Sequence, residues 1–319
     1  MRSLLLASVA LVFFFNSAYA SGRSRNCTAE EKAAADTHLK AIAADPALQA
    51  PILKRHLPFG AHTTDGNADN EILLLQDGYV INHDSDLRTG LWVAYELVGT
   101  EVDNPGPQRV NCFRKDPRLD RSKTAALSDF DEPIYDRGHL ANDRDLKDDL
   151  QEQINSYVLS NMSAQHCRFN RGIWLSLEYL GRIYSRKYKS IHVTSGAIFD
   201  YNNKGGRDKD NKSPRMGSRN QKARVAVPSH YYKIFLRETV GRWHSISFLL
   251  ENNNGINGHK WSDARPVAER AIKSIEQIEK RAGVKIHPDL TRTIITQDTD
   301  GSLWGMDEGR ASLENRCPS

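Results

Sequence analysis

No second long apolar run follows the first twenty residues of this 319-residue chain, so it does not read as a bundle of membrane-spanning helices. Gly-x-Ser-x-Gly, His-Glu-x-x-His and Walker patterns are all missing from the sequence. Their absence argues against a serine-elbow hydrolase, a zinc metalloprotease and a P-loop nucleotide hydrolase. Cysteine is scarce, with four in all, and no Cys-x-x-Cys or spaced Cys/His pattern suggests structural zinc. No internal repeat is visible, and neither sign of charge dominates: 44 Lys+Arg stand against 40 Asp+Glu, a net +4. With 39% hydrophobic and 26% charged residues, the chain is too apolar for wholesale disorder and too polar for a membrane protein.

The N-terminus is different from the rest. Met1-Arg2 supplies a positive charge, Ser3 to Phe15 is nearly unbroken apolar sequence, and Ala18-Tyr-Ala20 is a small-x-small cleavage site. The segment reads as a secretory signal peptide, because its apolar run is shorter than the ~20 residues a spanning anchor needs. The expectation is a secreted protein, periplasmic if bacterial, with net charge +3 once Arg2 is removed. In an oxidising compartment Cys27, Cys112, Cys167 and Cys317 favour two disulfides, for which three connectivities exist. Pairing Cys27 with Cys317 and Cys112 with Cys167 is the expectation carried forward.

Four regions follow from the patterning: a signal peptide (1–20), a helical leader (21–70), a main domain (71–290) and a tail (291–319) packed on or stapled to that domain. Thr28-Ala-Glu-Glu31 is a capping box opening an alanine-rich helix to about Ala44, ended by Asp45-Pro46. Ile72–Leu75 and Tyr79–Ile81 flank Asp77-Gly78, a hairpin signal. Strand-like runs follow at Trp92–Val98, Ser190–Phe199, Arg224–Leu236 and Trp243–Leu250. Ile173, Trp174, Leu177, Leu180 and Ile183 fall at helical spacing, as do Val267, Ala271, Ile275 and Ile278. The fold class is α+β: a mainly antiparallel sheet with helices on its faces.

Chemistry concentrates in three ordered segments, Tyr135-Asp-Arg-Gly-His-Leu-Ala-Asn142, Leu159-Ser-Asn-Met-Ser-Ala-Gln165 and Phe169-Asn-Arg-Gly-Ile-Trp-Leu-Ser-Leu-Glu178. Together they resemble the DNA/RNA non-specific endonucleases of the His-Me finger, or ββα-metal, superfamily. Weaker likeness runs from Arg88-Thr-Gly-Leu-Trp to the helix holding Ile275-Glu276. Two positions depart from the pattern: Asn142 and Ala164 stand where many members have proline, which bears on loop shape and family branch.

The resemblance implies roles that the residue chemistry supports. His139 is the candidate general base, since an imidazole with pKa near ~6.5 accepts a proton at neutral pH, and Gly138 before it permits close approach of backbone to substrate. Asn170 resembles the family's metal ligand: an amide oxygen suits Mg²⁺, with Mn²⁺ as a substitute. The competing reading makes Asn170 the N-cap of the helix that follows. Glu178, eight residues on and about 80° round the helix, would orient water on the metal; otherwise it is an exposed helical glutamate. Arg137 and Arg88 resemble the arginines that grip the phosphate; the plainer readings are an Arg137–Asp136 ion pair and a solvated Arg88. Asn161 is expected to hold the loop facing His139 and to contact the metal's water.

The partners implied are DNA and RNA, cleaved to 5′-phosphate products. The alternative is an exported nucleic-acid-binding protein on the same scaffold without turnover. Eight basic residues between Lys204 and Arg224, against Asp208 and Asp210, make either a backbone-tracking surface or a solvated loop. Asp143, Asp145, Asp148, Asp149 and Glu152 lack EF-hand order and read as a charged loop and helix start. Of the sequons at Asn26, Asn161 and Asn211, the one at Asn161 is expected to be unmodified, since a glycan there would block the cleft.

Overall fold

The computed structural model describes residues 24–65, 68–206, 213–216, 225–253, 255–256, 258–290, 295–305 and 317. The proposed signal peptide, the sequon at Asn211 and most of the basic segment 204–224 lie outside them.

After a short strand, β1 (Arg25–Asn26), Thr28 caps α1 (Ala29–Ala44). Its hydroxyl accepts from Glu31 N while the Glu31 carboxylate accepts from Thr28 N, the reciprocal pair expected of the capping box. Asp45-Pro46 stops this helix but also starts another. Asp45 accepts from Ala47 N, and Pro46 occupies the first turn of α2 (Pro46–His56), where no N–H is needed. Next come β2 (Thr63–Thr64) and the hairpin β3 (Glu71–Gln76) and β4 (Tyr79–Asp84), turning at Asp77-Gly78. Between β5 (Thr89–Val98) and β7 (Tyr135–His139) the chain forms α3 (Gly99–Asp103), β6 (Val110–Asn111) and irregular loops. The helix α4 (Leu150–Ser156) leads to β8 (Met162–His166), α5 (Cys167–Phe169), a π-turn at Asn170–Trp174 and α6 (Leu175–Tyr188). The rest is β9 (Ser190–Ile198), β10 (His230–Thr239), β11 (Arg242–Glu251), α7 (Trp261–Arg270), α8 (Ile275–Ala282), β12 (Val284–Lys285) and β13 (Ile295–Gln297).

Seven strands form the central sheet in the order β13-β11-β10-β9-β5-β4-β3. Every neighbouring pair is antiparallel except β11 with β13, in agreement with a mainly antiparallel α+β fold. On β10, Tyr231, Lys233 and Phe235 alternate with Tyr232, Ile234 and Leu236, and all six are buried, so both faces of the sheet are covered. Tyr231 stacks on Phe169 and Phe235 meets Tyr184, which seats the α5–α6 segment on the first of those faces. The second face lies under α2 and the His62–Trp92–His287 contacts. Among the described residues no helix is long and apolar enough to cross a membrane.

Three local expectations need correction. β10 starts at His230 rather than Arg224, because Pro228 cannot donate to a ladder. The spacing of Val267 to Ile278 belongs to two helices, since Ser274 caps a new one by accepting from Gln277 N. The disulfides pair Cys27 with Cys112 and Cys167 with Cys317, not as expected. Strand pairing decides this: β1 runs parallel to β6, with Asn26 opposite Asn111, which brings Cys27 beside Cys112. In the tail, β13 joins the sheet edge and Cys317 reaches Cys167.

The Cys27–Cys112 bond closes a loop of 85 residues. Replacing both cysteines with serine is expected to lower unfolding free energy by about 2–5 kcal/mol, read as a lower urea midpoint, with a slope that rises as the unfolded chain expands.

Candidate active site

The hairpin β7–β8 stands apart from the central sheet and is docked onto it by buried polar contacts. Its register sets His139 opposite Met162 and Asp136 opposite Gln165. Tyr231 Oη on β10 donates to Ala164 O (3.0 Å) and lies 2.8 Å from Ser163 Oγ, Asn252 Nδ2 donates to Ala164 O (2.9 Å), and Thr89 Oγ1 donates to Met162 O (3.1 Å). The chain then turns directly into the α5–α6 segment. Two ties clamp that segment against β7. Asp136 Oδ2 accepts from Asn170 Nδ2 (2.9 Å) and Arg171 Nε (2.8 Å), with Arg171 Nη2 on Asp136 Oδ1 (2.7 Å), and Trp174 Nε1 donates to His139 O (3.2 Å).

Asn170 is therefore not a helix cap. Its backbone is already helical (φ −58°, ψ −48°), and the cap is His166, whose ring accepts from Arg168 N (3.3 Å). Because the Asn170 amide nitrogen is spent on Asp136, the amide oxygen is left unused by that contact. A neutral oxygen donor held this way fits a hard cation such as Mg²⁺. Asp136 accordingly pairs with Arg171 and Asn170, while the Arg137 guanidinium lies over the Phe113 ring at 4.7 Å. Packing by itself calls for glycine at 138, since a Cβ there would collide with the Gln165 side chain.

His139 ends β7 edge-on to Tyr157 (centroids 4.8 Å apart), and its Nε2 is enclosed without a hydrogen-bond partner among the described residues. Burial pushes its pKa down to about 4, with Asp143 opposing that shift and Arg109 adding to it. At neutral pH the imidazole is unprotonated, as a base must be. Asn161 is fully buried and holds the turn after His139: Nδ2 donates to Ala141 O (2.9 Å) and Ser156 O (2.8 Å), while Oδ1 accepts from Ala141 N (2.9 Å). Loop-holding consumes both amide N–H groups and one acceptor site of Oδ1. The same burial leaves no room for a glycan on Asn161.

Glu178 is buried rather than exposed. Burial raises its pKa against the pull of the Lys233 and Arg182 cations, and burial lowers that of Lys233. Lys233 donates to Ser195 Oγ (2.6 Å) and lies 4.2 Å over the Trp174 ring; Arg182 donates to Asp145 (2.6 Å), as does Tyr95 Oη (2.8 Å). Two acidic groups, Glu178 and Asp145, thus meet two basic ones, Lys233 and Arg182, on the buried side of α6. Arg88 sits in the β4–β5 turn at φ +57°, beside Thr89, its side chain 12% exposed. Instead of being solvated it donates to Ser122 O (2.5 Å) and faces Asp129 at 4.0 Å.

The sequence profile of the family described as DNA/RNA non-specific endonuclease matches residues 56–293. The chain belongs to this family. Its members are divalent-metal-dependent nucleases, so the protein is a hydrolase acting on nucleic acids. Human mitochondrial endonuclease G is 27% identical over 67% of this chain and 69% of its own length. Nuclease C1 of Cunninghamella echinulata var. echinulata is 30% identical over 66% of the chain and 81% of its own length. In structure, a chain from an EndoG/EndoGI inhibition complex superposes with TM-score 0.63 at 23% identity, over 79% of this chain and 96% of that one. That likeness shows the shared ββα fold.

The relatives also correct the expected secretion. The endonuclease G proteins of human and Bos taurus and the Saccharomyces cerevisiae nuclease are named mitochondrial, which points away from export. An N-terminal address is read by a receptor and not by the fold, so an apolar run alone does not fix the compartment.

For this endonuclease, sequence reasoning missed the grip of Asp136 on Asn170 and Arg171, although Asp136 stands inside the motif. It also missed Lys233, Asp143 and Asp145, which carry no local signal because their partners come from distant elements. Asp136→Ala frees the Asn170 amide and the Arg171 guanidinium and is expected to raise the divalent-metal concentration giving half-maximal cleavage about 10–100-fold.

Proposed function

We propose that this endonuclease cleaves DNA and RNA alike, with Mg²⁺ as its metal, His139 as general base and Asn170 as the metal-ligating side chain. The observation that carries the reading is the double clamp of β7 onto the α5–α6 segment, which joins the strand of His139 to the helix of Asn170. On this reading His139 takes a proton from water as the water oxygen attacks phosphorus in line, and the bond to the 3′ oxygen breaks, that oxygen taking a proton from solvent water to become a 3′ hydroxyl and leaving a 5′ phosphate. Bound Mg²⁺ would neutralise charge developing on the phosphoryl and leaving oxygens.

The protein's own groups do the rest. Arg137, over the Phe113 ring, would offer a guanidinium to a phosphate oxygen, and Arg88 would supply a second cation to the phosphate. Glu178, its pKa raised, is suited to hold a proton near neutral pH at the foot of the helix. Contacts of this kind read phosphates rather than base edges, in keeping with a lack of sequence preference.

His139→Ala is expected to lower plasmid and RNA cleavage by at least about 10²-fold with an unchanged circular dichroism spectrum. EDTA should stop both reactions, and Mg²⁺ should restore them in the parent only. Full turnover by the variant would remove the base assignment, and cleavage in EDTA would remove the metal.

A further inference from the structure

The acidic run after β7, read from the sequence as a charged loop and helix start, contains two residues that the fold buries, Asp143 and Asp145. Asp143 is 4% exposed, and its Oδ2 accepts from Tyr157 Oη (2.9 Å) and forms an ion pair with Arg109 at 2.7 Å from Nε. Arg109 Nε also donates to Tyr157 Oη (2.9 Å), closing a three-membered network. Its members come from the turn after β7, the segment before β6 and the end of α4, so it exists only in the folded chain. Tyr157, itself fully buried, presents its ring at 88° to the His139 ring.

The groups facing His139 can be enumerated. Asp143 and Arg109 act on it by charge, and Tyr157 by its ring edge. Phe113 lies at 6.1 Å, with the Arg137 guanidinium on Phe113 beyond it; Trp174 and Met162 carry no charge. Asp143 and Arg109 are not equivalent in their reach. The Arg109 side chain is 50% exposed and screened by water, whereas the Asp143 side chain is 5% exposed. The carboxylate therefore keeps more of its field at the imidazole than the guanidinium does. Burial raises the Asp143 carboxyl, but His139, Arg109 and the Tyr157 hydrogen bond outweigh it and hold it below the ordinary carboxylate range. It stays ionised throughout the working range.

We propose that Asp143, fixed by Arg109 and Tyr157, is the positioning residue of His139: a buried anion that steadies the imidazole and offsets the charge it gains on taking a proton from water. The proposal rests on the reading of His139 as base. In the step, the proton moves from water to His139 and Asp143 remains a carboxylate, so no further proton or electron is required. Without this anion an enclosed imidazole would be a poorer base, since burial disfavours its charged form. The arrangement is the familiar one of a buried acid stabilising an imidazolium, reached here through charge and a shared tyrosine.

The test uses the full chain with Mg²⁺, reading kcat and KM against pH, together with NMR titration of the His139 imidazole in metal-free protein. Asp143→Asn should cut kcat at least about tenfold with KM little changed, and should move both the acid limb and the imidazole titration to lower pH. Arg109→Met, which leaves the anion and removes the cation, should move both to higher pH. Tyr157→Phe should shift them in the same direction as Arg109→Met or not at all, because the carboxylate then loses a donor but keeps its charge. Opposite displacements are what an electrostatic role requires; a merely structural role would move the two charge variants alike or neither. Curves for Asp143→Asn that overlay the parent's, or move upward, would overturn the proposal. Turnover by His139→Ala would instead overturn the base assignment beneath it. An inactive His139→Ala with an unmoved Asp143→Asn titration would sink the Asp143 role alone.

Discussion

The site depends on one carboxylate, Asp136, which binds Asn170 and Arg171 together. With Trp174 on His139 O it fixes the α5–α6 segment to β7 at two points. A single contact would leave the helix free to pivot about it; two contacts at either end of a short strand remove that freedom. Catalytic groups separated by long stretches of chain need such rigid support, because small misplacements of reacting atoms cost large factors in rate. The π-turn at Asn170–Trp174 belongs to the same device, since it re-aims side chains within a helix, and such turns recur at functional sites.

Around this clamp the protein spends buried charge. Glu178, Asp145, Lys233 and Arg182 sit beneath the helix, and Asp143 with Arg109 flanks the imidazole. Buried ions are costly unless paired, and they contribute little to stability even when paired. Their concentration on the face of the sheet that carries the site is better explained by function, since enclosure strengthens every electrostatic effect on a reacting phosphate. The opposite face, under α2, carries histidines such as His56, whose pKa burial lowers to about 4, and its ion-pair network, Arg55 with Glu96 and Glu101, is only partly buried.

Much of the local structure could be read from residue order. The Thr28–Glu31 capping box, the Asp77-Gly78 hairpin and the strand-like runs of β9 and β11 are short-range effects, and each formed where the pattern placed it. Asn170 shows the limit of that reasoning. By propensity it is a helix cap, yet tertiary contact with Asp136 places it inside the helix and gives its amide another use. Glu178 and Asp143 show the same limit for burial, because a charged residue looks solvated until a distant partner is known.

What the sequence determined by itself was the family: an ordered set of motifs, Asp136 to His139, Ser160-Asn161 and Asn170 to Glu178, that requires no distances to recognise. It also determined the elements, because capping, turn chemistry and side-chain alternation act over a few residues. Tertiary structure alone decided the disulfide partners, the burial of Glu178, the hydrogen bonds that bury Asn161 and the network behind His139. These depend on which segments meet across the sheet and hairpin, and such meetings arise from the packing of the whole core rather than from spacing along the chain.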